Sequence, residues 1–204
     1  MYKFPKTIDN LISCYKKLPT IGEKTAIRLA LATLDLDEEI VEIFSKSIIE
    51  SKKKIRRCER CNNITEAILC DICNDDSRDP KILCVVDDPK SIIQIEKSDS
   101  YNGLYFVLNG LISMENNYDP DSLNISKMIE LIKSERIIEV IIAVKPSVEG
   151  ETTSLYISKL LENDSVKVSR IALGIPLGAD MEYVDSLTLE LALENRKEIL
   201  NEKL

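Results

Sequence analysis

Four cysteines carry the clearest chemistry in this chain. Cys58 and Cys61 are separated by two residues, as are Cys70 and Cys73, and eight residues lie between the pairs. Each pair presents two thiolates from a tight turn, and four thiolates complete a tetrahedron around Zn²⁺ with no position left open. A closed site is structural, so the pattern predicts one structural zinc ion per chain. Redox dithiols and disulfides are the alternatives. A reducing compartment disfavours lasting disulfides, and two matched pairs disfavour an isolated redox motif. Arg56, Arg57 and Arg60 flank the first pair and can offset the negative charge of a four-thiolate site. Cys14 and Cys84 read as small buried apolar side chains.

Histidine and tryptophan are absent. Every Ser-His or Cys-His nucleophilic arrangement is thereby excluded, and so is every His-ligated metal site. Any catalysis must then rest on carboxylates, lysine, cysteine or a bound ion. Asp87 and Asp88 follow one apolar run, and Glu149 and Glu151 follow Val144-Lys145-Pro146-Ser147 at the end of another. Two acidic clusters at strand ends can hold Mg²⁺ beside a phosphate. Here a lysine stands where the second cluster needs acids, and a cation repels Mg²⁺.

A third constellation is basic. Lys24 and Arg28 are four residues apart, so they share a helix face. They follow Leu18-Pro19-Thr20-Ile21-Gly22, a Pro-Gly turn whose backbone amides can hold a phosphate. The segment from Gly22 to Thr25 is not a P-loop, because Glu23 occupies the place of that motif's second glycine. Residues 1–57 hold 12 basic and 8 acidic side chains, whereas the whole chain has a net charge of −8. The positive balance at one end suits phosphate binding without sequence preference. A merely solvated charge run is the competing reading.

These groups need elements to position them. Ile8, Leu11, Ile12 and Tyr15 recur at helical spacing, and the pattern predicts helices over 7–17, 23–34 and 37–54. Asp35 or Asp37 can cap the third helix. From residue 82 onward, apolar runs at 82–86, 104–108, 140–144 and 168–173 alternate with helical stretches at 89–98, 123–136 and 151–163. This alternation predicts a mainly parallel sheet covered by helices. A last helix is predicted over 181–200, with Val184, Leu187 and Leu191 on one face. Gly174, Pro176 and Gly178 are expected to reverse the chain. The 204 residues are 44% hydrophobic and 30% charged, which suits globular modules. No apolar run spans a bilayer, and the N-terminal residues lack a signal-peptide core. A cytoplasmic protein without membrane contact is expected.

Several segments together resemble the RecR family of bacterial recombination mediators. Residues 18–30 resemble a helix-hairpin-helix DNA-binding motif, and the Cys-x2-Cys-x8-Cys-x2-Cys segment follows it. Residues 82–89 and 140–157 resemble the opening and central strands of a Toprim domain. Residues 170–189 resemble the family's Walker-B-like segment. Thr20 stands where the hairpin commonly has glycine, Asp87 where Glu is usual, and Phe106 where His is common. The loop 114–118 lacks the usual Gly and Ser-Pro features. If the Thr20 position needs positive φ, threonine is disfavoured there.

The resemblance implies an α/β multi-module chain. Its expected parts are a helix-hairpin-helix bundle over 1–56, a small four-cysteine zinc finger over 57–77, a Toprim domain over 78–171 and a C-terminal helical segment over 172–204. It implies a non-enzymatic repair mediator, forming a ring-like homotetramer through its C-terminal segment. With RecO and RecF it would load recombinase on single strands coated with SSB, near the bacterial nucleoid. DNA, single- or double-stranded, would be bound by Gly22, Lys24 and Arg28. Asp87 and Glu149 would belong to an acidic face that contacts RecO. The rival readings are a Toprim-type metal-dependent nuclease or primase-like enzyme with a zinc ribbon, and a zinc-ribbon transcription accessory protein.

Overall fold

A computed structural model describes residues 4–113, 119–120, 122–172 and 174–196. The loop 114–118, whose sequence departs from the family, lies outside these residues. The chain divides into two compact units, Met1–Ile55 and Arg56–Leu204.

The first unit holds α1 (Lys6–Tyr15), α2 (Glu23–Leu34) and α3 (Glu38–Lys54). Ala26 and Ala30 lie one turn apart on α2 and are wholly buried. Their small side chains let α1 approach closely, and Ile8, Leu11, Ile12 and Tyr15 fill the contact as their spacing predicts. The Tyr15 hydroxyl lies 2.7 Å from Thr33 Oγ1. Cys14 corrects the sequence reading, because it is exposed. At about 100° per residue it sits about 200° around the helix from buried Ile12, so it faces away from α2.

The connection between α1 and α2 has the pattern of a type II turn. Pro19 takes its second position, Thr20 has φ of 67°, and Ile21 N–H donates to Leu18 O at 3.3 Å. The position therefore does adopt the left-handed backbone that favours glycine. Asp37 is the N-cap residue of α3, but its side chain makes no capping bond.

The second unit opens with the cysteine-bearing loop. Short strands β1 (Arg56–Arg57) and β2 (Ile64–Thr65) pair antiparallel, and a 3-10 turn spans Ile72–Asn74. A four-stranded parallel sheet follows, in the order β4-β3-β5-β6. Its strands are β3 (Asp79–Val86), β4 (Gly103–Val107), β5 (Glu139–Ile142) and β6 (Lys167–Arg170), and its helices are α4 (Pro89–Lys97), α5 (Ile125–Glu135) and α6 (Val148–Leu161). Each of the four predicted apolar runs contributes a strand, although the runs at 140–144 and 168–173 extend past β5 and β6, and residue 173 lies outside the described residues.

Successive side chains on a strand point to opposite faces, and β3 displays this directly. Leu83 and Val85 join the larger core with Phe106, Met128, Ile132, Ile157 and Leu161. Cys84 and Val86 join the smaller one with Ile92, Tyr105 and Val107. Phe106 is wholly buried in the larger core. Burial pushes the Cys84 thiol up to about 12, consistent with a packing role.

Gly150 sets the start of α6. A Cβ there would lie 1.9 Å from Lys145 O, so only glycine lets the preceding loop close on the helix. The last segment differs from the single helix predicted. A 3-10 turn at Met181–Tyr183 and α7 (Ser186–Glu194) are separated by Val184 in extended conformation. Asp185 caps α7 by accepting from Thr188 N–H at 2.9 Å, which starts the helix after Val184. Residues 197–200 of the predicted helix lie outside the described part. The chain does turn at Pro176–Ala179, with Ala179 N–H donating to Pro176 O and Gly178 at φ of 80°, whereas Gly174 has no positive φ. No helix among the described residues is long and apolar enough to cross a membrane.

Candidate zinc centre and nucleic-acid interface

The Cys-x2-Cys turns bring four sulfurs together. The Sγ atoms of Cys58, Cys61, Cys70 and Cys73 all lie within 4.8 Å of one another. A tetrahedron with Zn–S bonds of about 2.3 Å has sulfur–sulfur edges of about 3.8 Å, and Cys61 Sγ to Cys70 Sγ is 3.5 Å. All four residues are at most 9% exposed. Hydrogen bonding to Cys70 holds the Cys61 proton on, and the Cys73 thiol is raised first by Cys61. The same contacts lower the Cys70 thiol. A divalent ion relieves such crowding, because each cysteine then binds it as a thiolate. The donor set therefore fits a closed tetrahedral site.

Backbone donors shape the loop together with the cysteine sulfurs. Cys58 N–H donates to Asn63 O at 2.7 Å, and Cys70 N–H to Cys58 Sγ at 3.3 Å. Of the three flanking arginines, Arg60 faces the cluster. It donates to Cys73 O at 3.3 Å and clamps Glu135 on α5 through two nitrogens. Glu135 first, and then the charges of Cys73 and Cys61, raise the Arg60 guanidinium further. Arg56 is paired with Glu59. Arg57 reaches Asn62 O at 3.2 Å and Asn109 Oδ1 at 2.7 Å. Sequence reasoning missed Asn62 and Asn109. Both have positive φ, which asparagine tolerates better than most residues, and that is the one signal the sequence offers.

In the first unit, Gly22 is the N-cap of α2, with extended backbone and no side chain to occupy the helix N-terminus. Lys24 and Arg28 stand exposed on the first two turns. Glu23 beside them is paired with Lys16. The α3 helix ends in Lys52, Lys53 and Lys54, a second basic group.

The carboxyl end of the parallel sheet carries the acidic residues. Asp87 follows β3 and is partly buried, and Asp88 caps α4 by accepting from Lys90 N–H at 2.8 Å. Ser147 caps α6 through Gly150 N–H, and its hydroxyl donates to Glu149 at 2.7 Å. That bond, with Lys145 nearby, lowers the Glu149 carboxyl below the usual glutamate range. Glu151 pairs with Arg170. Asp87 and Glu149 are not bonded to each other; Asp88 serves a cap, Glu149 accepts from the Ser147 hydroxyl and Glu151 pairs with a cation.

Four family models match in chain order. They describe a RecR helix-hairpin-helix (residues 8–52), a RecR four-cysteine zinc finger domain (55–75), a Toprim domain (81–172) and a RecR C-terminal region (174–197). With the zinc-finger match, the four clustered cysteines constitute one structural zinc site. The set of domains supports a DNA-binding mediator of recombinational repair. Matched from residue 8 to residue 197 by these models, the chain belongs to the RecR family.

Proposed function

We propose that the chain is a subunit of a ring-like homotetrameric clamp that works with RecO and RecF to load recombinase on SSB-coated single-stranded DNA. The observation that carries this reading is the pairing of a RecR-type hairpin with two exposed cations, Lys24 and Arg28, beside the uncapped amides at Gly22. Such a site holds the phosphates of single- or double-stranded DNA without reading sequence. Residues 1–56 serve DNA, 57–77 hold zinc, 78–171 form the Toprim part and 172–204 serve assembly. Assembly is supported by apolar side chains that one chain leaves uncovered: Leu177, Met181, Tyr183, Leu187 and Leu193 are each more than half exposed. Large apolar side chains left exposed at this density along one segment suit an interface. Asp87 and Glu149 contribute to the face that meets RecO. The protein works in the cytoplasm, at the nucleoid during repair.

The chain is a mediator and not a Toprim nuclease. Lys145 lies three residues beyond β5, in the loop before α6, where a metal-dependent Toprim enzyme needs acids. The test is recombinase loading on SSB-coated single strands with RecO present. Stimulation by the parent chain is expected. Failure to stimulate, with Mg²⁺-dependent nicking of DNA instead, would replace this reading by the nuclease. Removal of residues from Asp180 onward is expected to change the oligomeric state, read as the number of subunits per particle in light scattering, and an unchanged number for a folded truncated chain would refute the assembly role.

A further inference from the structure

Among the described residues, strand β4 lies at the edge of the parallel sheet, with β3 as its one strand partner there. All five of its residues are nevertheless buried. An edge strand presents a row of backbone donors and acceptors that invite pairing with another chain unless something covers them. At the carboxyl end of β4 the cover is the zinc loop. Leu108 N–H turns inward to Val86 O at 2.9 Å, while Val107 N–H turns outward to Cys61 O at 2.9 Å. Asn62 Nδ2 donates to Val107 O at 2.7 Å. One residue of the edge therefore has both polar groups satisfied by the turn that carries a zinc ligand. The Asn62 side chain takes the place of the backbone amide of a further strand.

The geometry of Asn62 is particular to this role. The residue is 6% exposed, and its φ of 62° aims the side-chain amide at the strand while its N–H closes the turn onto Cys58 O at 3.0 Å. Arg57 pins the arrangement from outside, bonding Asn62 O and Asn109 Oδ1 together. Asn109 and Gly110, both at positive φ, lead the chain away from β4. The lock thus joins a zinc ligand, the strand edge and the loop that leaves it.

We propose that Asn62 is a positioning residue that couples zinc occupancy to the order of the sheet edge. With zinc bound, the Cys61–Asn62 turn covers Val107. Without zinc, the turn loses its shape, and the carboxyl end of β4 and residues 108–110 are released.

The test uses the full zinc-loaded chain, residue-resolved amide exchange and zinc transfer to a chromogenic chelator. Asn62→Asp keeps size and tolerance of positive φ but removes the donor to Val107 O. Asn62→Gly keeps the backbone conformation and removes the side chain altogether. Both variants should still bind one zinc. Both should exchange the Val107 amide faster and yield zinc to the chelator more readily, each on the order of tenfold, as loss of an outer partner of a metal site commonly does. The inner amide of Ala143, bonded to Val85 O, should keep its parent rate. If Asn62→Gly matches the parent in both readouts, the proposal is wrong, whatever Asn62→Asp does. It is equally overturned if stripping zinc from the parent leaves Val107 exchange unchanged. Loss of Val107 protection on stripping, at or before the loss at Ala143, supports it.

Discussion

Replacing Lys24 and Arg28 together by alanine isolates the hairpin's share of DNA binding. Both side chains are exposed, neither forms an ion pair among the described residues, and alanine is the best helix former, so α2 should persist. Each phosphate contact contributes about 0.9 to the slope of log affinity against log salt on duplex DNA. Two contacts contribute about 1.8 for every subunit engaged. Over a roughly fourfold rise in salt, parent affinity should therefore fall about tenfold further than that of the variant, per engaged subunit. A ring that engages several hairpins multiplies the difference. The assay is fluorescence anisotropy on a labelled duplex through a salt titration, after light scattering shows that the variant assembles like the parent. Lys52→Ala/Lys53→Ala, at the end of α3, is the comparison. The hairpin assignment is refuted if the Lys24/Arg28 variant keeps the parent slope and the Lys52/Lys53 variant loses it.

Three further outcomes follow from local geometry. Gly150→Ala places a methyl against the Lys145 carbonyl and should destabilise the second unit by about 1–3 kcal/mol in denaturant unfolding; a change within experimental error would refute the reading of that contact. Thr20→Gly relieves a left-handed threonine worth about 1–2 kcal/mol against an added glycine entropy of about 0.5–1 kcal/mol, so slower amide exchange in α1 and α2 is expected, and faster exchange would contradict it. Hydrogen bonding from Arg78 lowers the Glu96 carboxyl below its usual range, and the Tyr105 hydroxyl adds a second bond. A depressed pKa contributes stability above the unfolded value of about 4.3 that is lost as pH falls through the folded value. The stability gap between the parent and Glu96→Gln should thus hold near neutrality and shrink in acid; a gap constant down to pH of about 3 would refute it.

Much of the architecture was legible because it rests on local pattern. The α2 helix runs over the predicted residues, bounded by Gly22 and by Asp35. Nearly continuous apolar runs correctly marked a parallel sheet, since both of its faces are covered. The zinc site was legible for the same reason, as each Cys-x2-Cys turn is a local device. The start of α6 was read three residues late, because Gly150 counts against a helix interior, whereas Ser147 caps it and Gly150 fits where no other residue does. The predicted last helix ran through Val184 because its apolar spacing outweighed Asp185, whose capping role marks the true start. Cys14 was misassigned by residue type when its position on α1 faces outward. The pairing of Asn62 with Val107 joins residues 45 apart, and no spacing rule reaches that far.

The outward turn of Cys14 has a practical consequence. Of six cysteines, it alone is exposed, and buried structural thiols react slowly with alkylating reagents. The chain should behave toward a maleimide dye as a protein with one thiol. A fluorophore or spin label would then enter the first unit at a known turn of α1, without mutagenesis and without disturbing the metal. Energy transfer from that label to a dye on DNA would follow the approach of the hairpin to its ligand in real time.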